Sequence, residues 1–301
     1  MSTLIHRLSL AAAGLILFCP AAPAALISDG LVLNLQADNI DGQNNATLTA
    51  GQEIAEWVDV VVPGGNSNAN NATVQGAVDY LVAGQGTPNY EVGVVPGVRF
   101  TRAGGNAGDA LGFNTPLDGL LSNNAFTAFV VGDFGPPGPA RIMQFGFRNA
   151  GNHRIVGLAN TGYRFNGGSH IFAEDQFDAG PNFATYAMDL TQNYSTAAYR
   201  VDGVDGTSPN TSNDQMLNLT NFNQGFVIGG GKNNSQTFID PLNGVLNALV
   251  VYNRVLSEAE ILEVEEFLAG KFIIPEPSSA LLLMAACGAL ASKRRRSMAA
   301  S

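Results

Sequence analysis

The sequence has 301 residues, a formal net charge of −10 at pH 7 and only two cysteines, Cys19 and Cys287, which both lie in terminal apolar runs. The central region therefore has no disulfide to form, which excludes a small cysteine-stapled scaffold and leaves about 250 residues to be stabilised by a hydrophobic core. Five of the fifteen basic residues also lie in the termini, so a mature chain that loses them has ten basic residues against 25 acidic ones, a net charge near −15. Such an acidic surface repels nucleic acid and excludes a nucleic-acid-binding function.

The first 25 residues have the order of a secretory signal peptide. Arg7 supplies the positive charge, an apolar run covers residues 8–18, and small residues follow up to Ala24 and Ala25, the expected cleavage positions. The apolar run is too short for a permanent membrane span. The sequence therefore predicts export through the Sec machinery.

Between residues 31 and 252, short apolar or alternating runs are separated by Gly, Asn, Asp and Pro. Many runs of this length with turn residues between them are typical of antiparallel strands, and no helical runs alternate with them as a parallel sheet would require. The sequence predicts an all-β fold, a two-sheet antiparallel jelly-roll sandwich. The candidate strands are 31–35, 56–60, 97–100, 126–131, 141–147, 184–188, 198–201, 225–229 and 246–252.

A hairpin is predicted after the strand 198–201. Two Asp-Gly pairs, 202–203 and 205–206, follow this strand directly. Asp and Gly tolerate the positive backbone φ that a tight turn needs.

One segment near the end of this region is typical of a helix. Ser257 is placed to cap the first turn, and Glu260 three residues later completes a capping box. Gly270 is the expected stop. Apolar positions follow helical spacing at Ile261, Val264 and Leu268. The acidic residues of the segment are interpreted as a solvated face and as partners of the helix dipole: Glu258, Glu260, Glu263, Glu265 and Glu266.

The chain closes with three ordered elements. The tripeptide Pro275, Glu276, Pro277 precedes an apolar run over residues 278–292, which is followed by a basic cluster. The run is short of the roughly 20 residues of a stable span, so it predicts an apolar tail helix that anchors the chain temporarily. Basic residues on the cytoplasmic side resist translocation and leave the preceding domain outside. The basic cluster comprises Lys293, Arg294, Arg295 and Arg296.

This tail resembles the PEP-CTERM sorting signal of exopolysaccharide-producing Gram-negative bacteria. The resemblance implies that an exosortase recognises Pro275, Glu276 and Pro277 and removes the tail, after which the protein is released or attached at the outer surface or in the extracellular, biofilm matrix. An ordinary single-span C-terminal anchor is the alternative interpretation of the same residues.

The segment 244–261 carries a second resemblance. Its strand pattern leads into Tyr252-Asn253-Arg254-Val255-Leu256-Ser257 and then Glu260-Ile261, which resembles the closing strand and short helix of laminin-G-like, concanavalin A-like lectin/glucanase domains. The runs 31–38 and 56–59 are similar to the opening strands of those domains. This resemblance covers residues 26–272 and implies a laminin-G-like jelly roll there. With the two terminal patterns, the predicted organisation is a signal peptide (1–25), the jelly roll (26–272) and a sorting tail (273–301).

The same resemblance implies that loops or the concave face bind glycans, sometimes through Ca²⁺. Carbohydrate binding needs aromatic faces for the sugar rings and amide or carboxylate groups for the hydroxyls. Tyr163, Asn166 and His170 are the candidate ligand residues, although the segment that holds them is also typical of a plain turn. Trp57 has the same chemistry but lies in a strand pattern typical of the core.

Calcium is the one cofactor that the sequence brings into consideration. Glu174, Asp175 and Asp178 lie within five residues of one another, and Asp202 and Asp205 form a second acidic pair. A calcium site needs six or more oxygen ligands, so solvated loop carboxylates are the simpler interpretation of both groups.

Catalysis is not predicted. The resemblance implies that glucanases of this fold carry a Glu-x-Asp-x-x-Glu strand, and the nearest approach here is Glu53, Glu56 and Asp59. No Gly-x-Ser-x-Gly elbow and no histidine cluster for zinc is present. The sequence therefore favours an exported, exosortase-sorted, non-catalytic protein that binds exopolysaccharide. A structural or adhesive protein-binding module and a weak glycoside hydrolase are the alternatives.

Overall fold

A computed structural model describes residues 25–60, 72–73, 86–93, 95–105, 107–112, 125–134, 141–145, 156–159, 162–165, 168–171, 182–189, 198–206, 226–232 and 238–273. Leu26–Pro275 forms one compact unit. The predicted signal peptide up to Ala24, the sorting tripeptide, the tail helix and the basic cluster lie outside the described residues.

Twenty strands and one α-helix, α1 (Glu258–Phe272), make up the described structure. In chain order the strands are β1 (Leu31–Gln36), β2 (Glu56–Trp57), β3 (Ala72–Thr73), β4 (Asn89–Glu91), β5 (Gly97–Phe100), β6 (Arg102–Gly104), β7 (Ala107–Gly108), β8 (Leu111–Gly112), β9 (Ala125–Asp133), β10 (Arg141–Phe145), β11 (Val156–Ala159), β12 (Gly162–Phe165), β13 (Gly168–Ile171), β14 (Asn182–Asp189), β15 (Ala198–Val201), β16 (Val204–Asp205), β17 (Phe226–Ile228), β18 (Gly231–Lys232), β19 (Phe238–Ile239) and β20 (Gly244–Tyr252). A 3-10 turn, Ala37–Asn39, follows β1.

The strands form two eight-stranded antiparallel sheets. The first has the order β16-β15-β14-β9-β20-β5-β4, and β1 pairs with the C-terminal half of β20 beside β5. The second has the order β13-β12-β11-β10-β17-β8-β3-β2. Two short ribbons, β6 with β7 and β18 with β19, complete the pairing. The prediction of a mostly β fold with antiparallel sheets and one C-terminal helix is confirmed for the described residues.

One hydrophobic core draws on both sheets. Phe126, Val130 and Leu249 come from the first sheet, whereas Trp57 and Ile142 come from the second, and all five are buried. Trp57 is fully enclosed, and its indole N–H donates to the backbone oxygen of Gln36 at 3.2 Å. The interpretation of Trp57 as a core residue is therefore confirmed.

A second core lies on the other face of the first sheet, under α1. Helix residues Ile261, Val264 and Leu268 pack against Phe129 and Val250 of β9 and β20. These two central strands are thus buried on both faces, which explains why their sequences are almost continuously apolar.

The helix begins as predicted and ends later than predicted. Ser257 caps it, and both hydrogen bonds of the capping box to Glu260 are present. The helix runs through Gly270 to Phe272, because Phe272 is fully buried and Lys271 pairs with Asp38 at 2.8 Å. This packing outweighs the roughly 1 kcal/mol that glycine costs inside a helix.

The predicted Asp-Gly hairpin is also present. Asp202 and Gly203 have φ of 49° and 76° and form the two-residue turn between β15 and β16. The predicted strand 56–60 is shorter than expected, since the observed strand covers only Glu56–Trp57. The Asp59 side chain is buried and accepts from the backbone amide of Asn34 at 2.9 Å.

Among the described residues, no helix combines the length and apolarity that crossing a membrane would require.

Candidate functional site

Two of the three predicted ligand residues, Tyr163 and His170, lie on the two strands at the β13 end of the second sheet. Tyr163 of β12 and His170 of β13 are directly opposed in the antiparallel register. The backbone therefore brings these two positions together although they are seven residues apart in the chain. Asn166 and the acidic group Glu174, Asp175 and Asp178 lie outside the described residues.

The second predicted acidic pair holds a hairpin together. Asp202 accepts a hydrogen bond from the Phe183 amide at 2.9 Å, whereas Asp205 pairs with Nε of Arg200 at 3.3 Å. The two carboxylates thus have separate protein partners. In the part of the chain that the structure describes, no group of three or more Asp, Glu, His or Cys side chains converges as a metal site.

The closing motif of the domain joins a strand to a helix. Arg254 donates two hydrogen bonds to Glu260, at 2.7 and 3.0 Å, and also pairs with Asp29 at 3.1 Å. The same Glu260 carboxylate accepts from the Ser257 amide at 2.8 Å. The Arg254 guanidinium, followed by Ser257, lowers the pKa of Glu260 to about 2. Arg254, Ser257 and Glu260 are therefore occupied in holding α1 against β20.

Glu265 corrects the interpretation of the helical glutamates as a solvated face. It is only 4% exposed, and it accepts from the Thr185 hydroxyl at 2.6 Å and lies 3.7 Å from Nε of Arg200. Burial raises the pKa of Glu265, and the contacts with Thr185 and Arg200 oppose that shift only in part. Its position four residues after Ile261 on the apolar stripe is the sequence signal that indicates burial.

An open groove lies at the β4 end of the first sheet. The groove has a volume of about 570 Å³. Its described lining consists of Ala50, Gly51, Asn89, Tyr90, Glu91, Val92, Gly93, Val95 and Arg99. These residues come from the segment before β2, from β4 and the turn after it, and from β5. We call this feature the β4–β5 groove.

Strand alternation decides which side chains face the groove. Tyr90 and Val98 are buried in the shared core, so their neighbours Asn89, Glu91 and Arg99 point to the opposite, solvent-facing side. Asn89 and Arg99 are directly opposed in the register, as are Tyr90 and Val98. The sheet therefore presents an amide, a carboxylate and a guanidinium on one surface.

Glu91 and Arg99 form a two-point ion pair in this groove. Nε of Arg99 contacts one carboxylate oxygen of Glu91, and a terminal guanidinium nitrogen donates to the other at 3.0 Å. Their side chains are 39% and 43% exposed. The hydrogen bond to Glu91 raises the pKa of Arg99, and the charge of Asp133 adds to this shift. The pair is held by two contacts but remains accessible to a ligand.

Backbone hydrogen bonds hold the wall of the groove. The Gly51 backbone amide donates to the Tyr90 backbone oxygen, and the Tyr90 backbone amide donates to the Gln52 backbone oxygen, both at 2.8 Å. Asn45 donates to the Tyr90 hydroxyl at 3.2 Å from the far side. Val92 is 63% exposed at the rim and Val95 is half-buried. The groove thus combines polar side chains with the apolar surface of Val92 and Val95, on a wall that backbone hydrogen bonds hold.

Glu53 and Asp109 are two carboxylates whose charges influence each other. Burial raises the pKa of Asp109, to which the charge of Glu53 also contributes. Asp109 is only 8% exposed, and one of its oxygens accepts from the Thr101 amide at 2.7 Å. This carboxylate ties together two backbone segments and does not line the groove.

The β4–β5 groove was not predicted from the sequence. Arg99 lies within the predicted strand 97–100, and its place between Val98 and Phe100 marks it as solvent-facing. The run Asn89–Glu91 is too short for the alternation to be recognised, and nothing local shows that it pairs with β5.

No known family model matches this chain, and no curated protein matches it. Among solved structures, a mutant of Trypanosoma rangeli sialidase displaying trans-sialidase activity is similar, with a TM-score of 0.50 and 21% identity over 82% of this chain and 34% of that chain. Trypanosoma rangeli sialidase in complex with the inhibitor DANA gives a TM-score of 0.49 and 18% identity over 87% of this chain and 37% of that chain.

A smaller structure also matches. The CBM40 of Ruminococcus gnavus IT-sialidase, bound to α2,3 sialyllactose, gives a TM-score of 0.36 and 13% identity over 47% of this chain and 82% of that chain. The chain spans about a third of the length of the two Trypanosoma sialidase chains. The likeness to the sialidase mutant, at 21% identity, is one of fold alone.

Proposed function

We propose that this chain is an exported, exosortase-sorted protein of the cell surface or extracellular matrix whose domain binds polysaccharide without catalysis. The observation that carries the binding proposal is the β4–β5 groove of about 570 Å³, in which Asn89, Glu91 and Arg99 share one solvent-facing surface.

The domain is proposed to be a jelly-roll sandwich of the laminin-G-like, concanavalin A-like type. Two eight-stranded antiparallel sheets with a common core support this assignment. So does the closing motif, in which the segment from Tyr252 to Ile261 connects the last strand to the helix through the pair Arg254 and Glu260.

The groove has the chemistry that a neutral or charged sugar requires. Sugar hydroxyls donate and accept hydrogen bonds, and an amide, a carboxylate and a guanidinium together offer both kinds of partner. Val92 and Val95 provide apolar surface for the C–H faces of a ring. Because the backbone holds the wall at residues 50–52, little conformational entropy is lost on binding.

The absence of catalysis is part of the proposal. Glycoside hydrolysis needs two carboxylates that flank the scissile bond. Among the described lining residues of the groove, Glu91 is the single carboxylate, and it is bonded to Arg99. We therefore expect no turnover of any glycan that binds there.

Binding is tested by a glycan array with the mature protein and two variants. Arg99→Ala should weaken the retained glycans by about tenfold or more, the loss expected when a charged partner of a bound ligand is removed. Arg102→Ala is the matched control, since Arg102 is an exposed arginine on β6 outside the groove. Binding that is unchanged by Arg99→Ala would reject the groove as the site. No glycan binding together with self-association would favour the structural or adhesive alternative.

Export and sorting rest on the order of the terminal sequence elements and need a separate test. The intact mass of the protein is measured from the surface and medium of its host and from a strain that lacks its exosortase. A species from about residue 25 to near residue 277 that disappears in the mutant strain is the expected result. A species that keeps the basic cluster 293–296 in both strains would indicate a simple membrane anchor instead.

A further inference from the structure

We infer that the β4–β5 groove selects uncharged glycans and rejects those that carry a carboxylate, such as sialate or uronate. This inference rests on the proposed polysaccharide-binding function and assigns the class of its ligand. It follows from how Arg99, the one arginine among the described lining residues, is paired, from the charges around it and from the hydrogen-bonding capacity that remains.

The positive charge of the groove is already neutralised. Both carboxylate oxygens of Glu91 contact the guanidinium of Arg99, through Nε and a terminal nitrogen. This is the side-on geometry that a sugar carboxylate would itself need in order to bind an arginine. An acidic sugar that used this edge of the guanidinium would have to displace Glu91, and one that used the remaining donors would lie beside the Glu91 charge.

The surroundings of the pair are also acidic. The charge of Asp133 reaches Arg99 in addition to that of Glu91. Glu53, bridged through its backbone to Asn89, adds an exposed carboxylate near the groove. The mature chain, with a net charge near −15, repels anions over a longer range at low salt. Among the described residues around the pair, Asp133 and Glu53 both add negative charge, which disfavours a negatively charged ligand.

The remaining hydrogen-bonding capacity fits hydroxyl groups. A guanidinium has five N–H donors and a carboxylate about four acceptor positions. The pair itself uses two donors and two acceptors, and both side chains remain about 40% exposed. Three donors and two acceptors thus stay available, side by side, to groups that can both donate and accept. Neighbouring hydroxyls of a neutral hexose supply that combination, whereas a carboxylate can only accept.

The test is a titration calorimetry series on the mature protein with two sets of probes. The neutral set contains hexasaccharides of β-1,3-glucan, β-1,4-glucan and galactan, and the anionic set contains hexagalacturonate and α2,3-sialyllactose. We expect at least one neutral probe to bind at least about tenfold more tightly than either anionic probe. Tighter binding of an anionic probe would overturn the inference while leaving the proposed polysaccharide binding intact. Binding of neither set would overturn the proposed function together with the inference.

The variant Glu91→Gln tests the cause of the selectivity. It removes the charge that neutralises Arg99 and keeps a hydrogen-bonding side chain, so anionic probes should gain about tenfold in affinity. Arg102→Ala, outside the groove, should leave both sets unchanged. If Glu91→Gln does not change the ratio of the two affinities, the neutralised arginine is not the cause and the inference fails.

Salt dependence of the unmodified protein gives an independent readout if Glu91→Gln does not fold. Raising the salt concentration should leave the affinity for neutral probes unchanged and should strengthen any residual binding of anionic probes, because it screens repulsion. Anionic binding that weakens with salt would mean attraction and would contradict the inference.

Discussion

The hydroxyl of Thr127 connects the closing motif of the domain to the middle of the first sheet, and its removal should destabilise the fold without changing its shape. Thr127 is fully buried on β9. Its hydroxyl donates to the backbone oxygen of Arg254 and accepts from the backbone amide of Leu256, both at 3.0 Å. Thr127→Val replaces the hydroxyl by a methyl group of similar size and leaves both backbone groups without this partner.

The expected loss is about 2–4 kcal/mol of unfolding free energy. A buried polar group without a partner costs about 1–3 kcal/mol, and the Leu256 amide is buried while the Arg254 oxygen is partly so. Thr127→Ser is the matched control, since it keeps the hydroxyl and removes only a methyl group, which costs about 1 kcal/mol.

Urea unfolding followed by tryptophan fluorescence measures both variants. The chain has a single tryptophan, Trp57, which is fully buried in the shared core and therefore reports its exposure. Thr127→Val should lower the urea midpoint well below that of Thr127→Ser, with an unchanged m-value. Equal midpoints for the two variants would refute the reasoning, because they would show that the two hydrogen bonds contribute nothing measurable.

Three further predictions concern charge and backbone conformation. The pKa of Glu260 is about 2 in the folded protein, against an ordinary value of 4.5. The ionised Glu260 therefore stabilises the fold above about pH 4.5, and this stabilisation is lost as the pH falls toward 2. Glu260→Gln should reduce the fall of the urea midpoint over that pH range. The effect of pH is opposite for Glu265, whose pKa is raised in the folded protein. Its ionisation destabilises the fold as the pH rises past the ordinary pKa of a glutamate. The Glu265→Gln variant should therefore lose less stability than the unmodified protein between acid and neutral pH. If the urea midpoint of a variant changes with pH as that of the unmodified protein does, the prediction for that variant is contradicted. Gly229→Ala should lower the free energy of unfolding by about 2–4 kcal/mol, because φ is +89° and the added Cβ would lie 2.4 Å from the Phe100 ring. In α1, the Cβ of Gly270→Ala would meet nothing within 4 Å, so this variant should be more stable by up to about 1 kcal/mol in thermal unfolding.

Elements that a few neighbouring residues decide were predictable from the sequence. The capping box of Ser257 and Glu260 acts within one helical turn, and the turn of Asp202 and Gly203 depends on the positive φ of those two residues. The central strands β9 and β20 could be predicted because burial on both faces makes their sequences almost continuously apolar. The export and sorting signals are likewise linear patterns, and they stay predictions of the sequence.

The end of α1 was predicted wrongly because a distant contact decides it. Gly270 is a good local stop signal, but the burial of Phe272 and the pair between Lys271 and Asp38 hold one more turn. The burial of Glu265 likewise depends on Thr185, eighty residues earlier in the chain. Neither Asp38 nor Thr185 can be identified as a partner from the residues around the helix.

The sequence by itself thus determined the mostly antiparallel β class, the helix start and the hairpin, because hydrogen bonds and apolar periodicity over a few residues encode them. Only the tertiary structure decided the β4–β5 groove, which brings together residues near 50, 90 and 99 through strand pairing. Strand pairing joins backbone groups whatever side chains they carry. No local sequence pattern therefore identifies the partner of Arg99. The physical reason is that sheet neighbours are selected by how well the whole core is buried. That burial depends on contacts between distant segments, which exist only when the chain has folded.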